Sequence, residues 1–177
     1  RVGIIGCGNS GRQHISRLLA IPGVKIVGLC DPSEDAWKKT ARWYRDVRNA
    51  VWAPSHKDLF EQVELDAVVI ASPHVYHYEQ IIDALDNGLH VLCEKPMVCK
   101  VEHAKHVVEK VAETGVVFGI AYQRHCMAQY RYCRDVILSG EMGECRFISG
   151  VQSQNWYSNE VPLKTWRAQK AYGCGGQ

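Results

Sequence analysis

Short apolar runs and amphipathic stretches alternate along most of the chain. Val2-Gly3-Ile4-Ile5 is a short apolar run, and residues 11–20 carry Ile15, Leu18 and Leu19 on one face at helical spacing until Pro22-Gly23 breaks the pattern. Residues 24–30 read as a second strand, closed by Asp31-Pro32-Ser33. Ser33 is placed to cap a helix running to about Tyr44, and Ser55 a shorter one through Phe60. Residues 67–71, Ala-Val-Val-Ile-Ala, form a continuous apolar strand of the kind buried on both faces. A helix from Val75 to Asp86, with Ile81, Ile82 and Leu85 inward, stops at Asn87-Gly88, and residues 89–92 give the next strand. Val101, Ala104, Val107, Val108 and Val111 mark the clearest helix, residues 100–113, and residues 116–121 are again a strand. This alternation predicts an α/β fold: a doubly wound parallel sheet with helices on both faces.

The pattern changes after Tyr122. A helix is expected over about 127–138, ended by Ser139-Gly140, and residues 145–154 read as a long, polar-rich strand that suits an open or antiparallel sheet. The expected organisation is therefore a first domain over residues 1–122, then, over 123–177, the beginning of a second α+β domain with an open, mostly antiparallel sheet. The chain opens on a strand and stops in a glycine-rich turn, so both ends look cut.

Composition narrows the classes. Of 177 residues, 46% are hydrophobic and 23% charged, with a formal net charge of +2, so nothing steers the chain to nucleic acid or an acidic membrane. No apolar run approaches a bilayer span and the N-terminus lacks a signal-peptide layout. The eight cysteines form no C-x-x-C pair, and no His/Cys spacing suits zinc, so no metal site is expected. They read as reduced thiols of a cytoplasmic protein rather than as a disulfide framework.

Gly6-Cys7-Gly8-Asn9-Ser10-Gly11 fits G-x-G-x-x-G, directly after a strand and opening a helix. In that context Gly6 permits the tight turn, Gly8 lets backbone approach a pyrophosphate, and Gly11 lets helix pack on strand, which is the Rossmann arrangement for NAD or NADP. The helix N-terminus then favours the anion. Asp31, about 20 residues further on at the end of the second strand, is placed to accept from the ribose hydroxyls and would repel a 2′-phosphate, which favours NAD. Arg12, close in sequence, keeps NADP open.

Two further segments stand at strand ends, where ligands bind in open α/β sheets: Ala71-Ser72-Pro73-His74-Val75-Tyr76-His77 and Cys93-Glu94-Lys95-Pro96. With the glycine loop, Tyr122-Gln123-Arg124, Ser139-Gly140-Glu141-Met142-Gly143-Glu144, Trp166-Arg167 and the closing glycine cluster, the whole chain resembles, in order, the family of glucose–fructose oxidoreductase, inositol dehydrogenase and their sugar-oxidising relatives. The resemblance implies hydride transfer between a nicotinamide and a hydroxyl-bearing carbon of a sugar, cyclitol or related polyol, with Lys95 moving the hydroxyl proton. A lysine serves that role when burial or a nearby positive charge favours its neutral amine. The resemblance also implies that Ser72, Pro73, His74, His77, Glu94, Pro96, Gln123, Arg124, Trp166 and Arg167 sit near the cofactor. His74 stands where relatives often have Asn. His77 equally suits a helix start, Glu94 an orienting role, Gln123 and Arg124 a domain junction, and Trp166 and Arg167 a core Trp beside a solvated Arg. In relatives an Asp and a His follow the glycine cluster, a cis peptide often precedes the proline, and full-length chains form homodimers or homotetramers. Two other readings stay open: a dinucleotide-binding sensor without catalysis, and an enzyme that uses bound NAD transiently.

Overall fold

The computed structural model describes residues 1–151, 153, 155 and 166–174. Strands β1 (Val2–Ile5), β2 (Ile26–Cys30), β3 (Val51–Ala53), β4 (Ala67–Ile70), β5 (His90–Cys93) and β6 (Phe118–Ile120) form one sheet in the order β3-β2-β1-β4-β5-β6. Every neighbouring pair is parallel, and Ala53, Cys30, Ile5, Ile70, Cys93 and Ile120 lie in register across the sheet. All the loops that follow these residues therefore leave from one edge. The strand order reverses between β1 and β4, which opens the crevice where ligands bind in such sheets.

Helices α1 (Asn9–Leu18), α2 (Glu34–Trp43), α3 (His56–Gln62), α4 (His77–Asp86) and α5 (Val101–Thr114) cover the sheet. Ser33 and Ser55 do cap α2 and α3: their hydroxyl oxygens accept from the Ala36 and Asp58 N–H groups at 3.3 and 3.2 Å. Side chains alternate along the strands, so two cores result. Ile5, Val68 and Ile70 pack with Leu59, Ile81, Leu85 and Val107 on one face, while Ile4 and Val69 pack with Ile15, Leu29 and Val47 on the other. Each such buried side chain contributes roughly 1.5–3 kcal/mol.

Two expectations are corrected, and one strand appears that the sequence does not announce. Strand β3, only three residues long, is too short to show a period in sequence. The strand expected over 145–154 is not formed: residues 145–151 and Ser153 have no regular structure, while Gln152 and Gln154 lie outside the described residues. No partner strand lies beside it among the described residues, and Phe147, Ile148 and Val151 are exposed. The preceding α6 (Ala128–Ser139) forms as expected but buries no residue. Finally, the cysteines are not all reduced, because Cys99 and Cys174 form a disulfide, their Cα atoms 5.8 Å apart. Docking of the short helix α7 (Lys170–Gly173) beside residues 74–76 brings the two together. Cys7, Cys30 and Cys93 are free and buried; Cys126, Cys133 and Cys145 are free and exposed. No helix among the described residues is long and apolar enough to cross a membrane.

Candidate functional site

The glycine turn leaves β1 at the reversal point. Gly6 has φ +98°, and a Cβ there would lie 2.7 Å from the Ala71 carbonyl group. A Cβ on Gly11 would lie 1.9 Å from the Gly6 oxygen, so α1 rests directly on the turn. Gly8 differs: a Cβ there would meet nothing within 4 Å. No side chain caps α1 at that end, so Gly8, Asn9 and Ser10 present a bare helix N-terminus to open space. Cys7 contributes only its backbone. Burial first, then the Asp31 charge, pushes the Cys7 thiol up to about 12, and burial does the same to Cys30.

Asp31 closes the turn from the neighbouring strand. Its Oδ2 accepts the Cys7 N–H at 2.8 Å and its Oδ1 the Ser33 N–H at 2.9 Å. A carboxylate has about four acceptor sites, so both oxygens can still receive a hydroxyl. Arg12 points elsewhere: its Nη1 donates to the Cys7 carbonyl at 2.8 Å and its guanidinium lies over the Trp43 ring.

The loops after β4 and β5 are knitted together by His77. This side chain is fully buried, with Nδ1 2.8 Å from the Pro96 oxygen and Nε2 3.0 Å from the Ser72 oxygen. His77 thus starts α4 and bridges two loops. Ser72 donates its hydroxyl to Gln80 at 2.6 Å. The Lys95–Pro96 peptide is cis. Lys95 is exposed, and its ammonium makes no hydrogen bond or ion pair among the described residues, so the burial expected of it is not supplied by them. Glu94 is half-buried; burial pulls its carboxyl up, but hydrogen bonds from His14 and the Lys95 N–H, with their charges, bring it below the ordinary carboxylate value. His14, absent from the sequence-based site, lies with Nε2 2.9 Å from Glu94 Oε1. The available signal is its spacing, three residues past Gly11 on the same helix face.

Residues 166–174 return to this edge of the sheet. The Trp166 ring meets His74 edge-on at 4.8 Å, Arg167 stacks over Trp166 at 4.5 Å, and His74 Nδ1 lies 3.2 Å from the Gly173 oxygen. His74 is buried. Burial holds its imidazole below the ordinary value against the Gly173 bond, and the charges of His77, Arg167 and Lys95 add to that. A cleft of about 610 Å³ runs past Gly6, Gly8, Asp31, Ser72, Pro73 and Trp166. Gln123 and Arg124 do not line it. They form an exposed turn beyond β6, at the end of the first unit, Arg124 lying over the Tyr130 ring. At the far end of the cleft, ligand atoms of His56, Glu79 and Asp83 lie within 4.8 Å of one another. Lys57 already pairs with Glu79 at 2.9 Å and Asp83 at 3.5 Å, so this cluster is charge-compensated.

A parallel sheet whose reversal point opens on a bare, glycine-lined helix end defines the dinucleotide-binding class of α/β proteins. Residues 1–122 match the family model described as "Oxidoreductase family, NAD-binding Rossmann fold", and the chain belongs to that family. It is 30% identical over 151 residues to the scyllo-inositol 2-dehydrogenase (NAD(+)) of Bacillus subtilis, a match covering 85% of this chain and 43% of that protein. The scyllo-inositol dehydrogenase of Lactobacillus casei, solved with NAD(H) and scyllo-inositol, superposes with a TM-score of 0.74 at 25% identity over 81% of this chain and 42% of that one. The WlbA dehydrogenase of Bordetella pertussis, solved with NADH and UDP-GlcNAcA, gives 0.74 at 28% identity over 81% and 41%. The chain thus spans less than half the length of these relatives. The residues here suit the dinucleotide those two structures hold: open space over Gly8, an uncapped helix end, spare acceptor sites on Asp31, and a cleft that both Gly8 and Asp31 line.

Proposed function

We propose that this chain is the dinucleotide-binding part of an NAD-dependent oxidoreductase acting on a hydroxyl-bearing carbon of a sugar, cyclitol or related polyol. The carrying observation is Lys95. It stands on the loop after β5 at the strand-end edge, exposed, its ammonium unpaired among the described residues. A lysine kept free there, in a member of an oxidoreductase family, favours an enzyme over a sensor.

NAD, when bound, supplies the hydride-accepting nicotinamide. The N–H groups at the head of α1 hold the diphosphate, and Asp31 holds ribose hydroxyls. Asp31 supports NAD over NADP, since its carboxylate would repel a 2′-phosphate, while Arg12 directs Nη1 to the Cys7 carbonyl and lies over Trp43. Lys95 Nζ, as the neutral amine that a bound cationic nicotinamide would favour, accepts the hydroxyl proton of the substrate as its carbon is oxidised, and returns it in the reverse direction. Ser72, Pro73 and Trp166 wall the cleft, while Glu94, Pro96 and His74 hold the surrounding loops. Beyond residue 122 we place the start of a substrate domain with an open, mostly antiparallel sheet, in a homodimer or homotetramer. The lack of any buried residue in α6 supports a further body packing there.

Lys95→Ala in the full-length protein tests the role. NAD affinity by calorimetry should stay within a few-fold, while oxidation of scyllo-inositol, followed by NADH absorbance, should fall about 100- to 10,000-fold. Unchanged turnover removes the assignment of Lys95, and absence of NAD affinity in the unaltered protein removes the whole reading.

A further inference from the structure

One part-buried polar pair joins Glu94 to a residue with no part in the function proposed above, His14. His14 lies in the middle of α1 with its side chain 10% exposed, and Glu94 follows β5 with its side chain 21% exposed; they are 80 residues apart in sequence. A carboxylate only accepts, so the imidazole Nε2–H donates across the 2.9 Å between them. The other carboxylate oxygen of Glu94 accepts the backbone N–H of Lys95 at 3.2 Å. The Glu94 N–H is itself donated to the Ile70 oxygen of β4 at 2.8 Å. On the far side, the Pro96 carbonyl is held by His77. The backbone of Lys95 is therefore bracketed, and its unpaired side chain swings from a fixed root.

Taking two such polar groups out of water costs more than filling the space with apolar side chains of the same volume. A pair kept at that cost fits a role in orientation. We infer that His14 is a positioning residue for Lys95: by fixing the Glu94 carboxylate it clamps the Lys95 N–H. It thereby ties the helix whose head faces the diphosphate to the loop that carries the proton-transferring amine. This rests on the role given to Lys95 above. The expected size follows from geometry, since a displacement of about 1 Å at a reacting group costs roughly 100-fold in rate.

The test uses the full-length protein, three single variants and the double variant His14→Leu/Glu94→Ala. His14→Leu removes the donor and keeps most of the volume, His14→Gln keeps a donor, and Glu94→Ala removes the clamp. Amide hydrogen exchange at Lys95 should quicken at least tenfold in His14→Leu and Glu94→Ala and recover most of the way in His14→Gln. NAD affinity by calorimetry should stay within about threefold throughout. With scyllo-inositol, kcat should fall about 100-fold in His14→Leu with KM little changed, and the double variant should lose no more than Glu94→Ala alone. Should His14→Leu fail to fold, His14→Asn, whose amide stops short of Glu94, takes its place. Unchanged exchange at Lys95, a loss of NAD affinity that accounts for the loss in kcat, or no recovery in His14→Gln each overturns the inference. The exchange measurement needs no turnover. A protein that neither binds NAD nor oxidises the polyol therefore sinks the function proposed above, while the coupling of His14 to Lys95 is still read.

Discussion

Gly8 and Gly11 stand three residues apart in one turn and are needed for opposite reasons. At Gly11 a methyl group would collide with the backbone oxygen of Gly6, whereas at Gly8 it would enter open space. Gly11→Ala should therefore lower the unfolding free energy by about 2 kcal/mol or more, measured by urea titration. Gly8→Ala, at the helix N-cap, should cost about 1 kcal/mol or less yet weaken NAD binding at least tenfold in calorimetry. That division of labour is legible in G-x-G-x-x-G, because the motif encodes local backbone geometry. The role of His77 is not: which carbonyl each ring nitrogen meets depends on Pro96, 19 residues away across the β4–β5 edge. The contact of His14 escapes for the same reason, its partner Glu94 lying just beyond β5. Asp31 falls between the two. Its place at the end of β2 is readable, but its grip on the Cys7 N–H appears only once β1 and β2 are paired.

Elements of five or more residues with a clear period, such as α5, emerge from the sequence close to their observed bounds. Two segments do not: β3 is too short to stand out without a longer apolar run around it, and the polar-rich stretch from Cys145 reads as a strand but has no neighbour among the described residues. The segment of residues 166–174 is a third case, since nothing local announces that it returns to the 74–76 turn. Its docking is tied to the charge state of His74, which burial holds below its ordinary value near 6.5. Between the folded value and 6.5 the unfolded chain binds more protons than the folded one, so stability is complete above about pH 6.5 and declines on acidification. Urea midpoints at pH 7.5 and 5.5 should differ more for the unaltered protein than for His74→Asn, which cannot titrate. Equal differences would show that His74 does not couple this segment to pH.

At the scale of the molecule, βα alternation announces a parallel sheet, but not the order in which strands lie. The reversal between β1 and β4 requires that β4 add to the opposite side of β1 from β2, a long-range choice made by the two cores. The Cys99–Cys174 bridge is equally non-local, because cysteine spacing does not reveal which loops meet. It makes a covalent ring of everything from the loop before α5 to the end of α7. Closing 75 residues in the unfolded chain is worth about 4 kcal/mol in the chain-entropy view, so reductant should lower the urea midpoint clearly. The ring also changes what a protease can do. Arg146 lies inside it, in an irregular segment, with its side chain 83% exposed. A single tryptic nick there would break the thread without parting the ends. On a gel the clipped molecule should run as one piece until dithiothreitol is added, and only then as two.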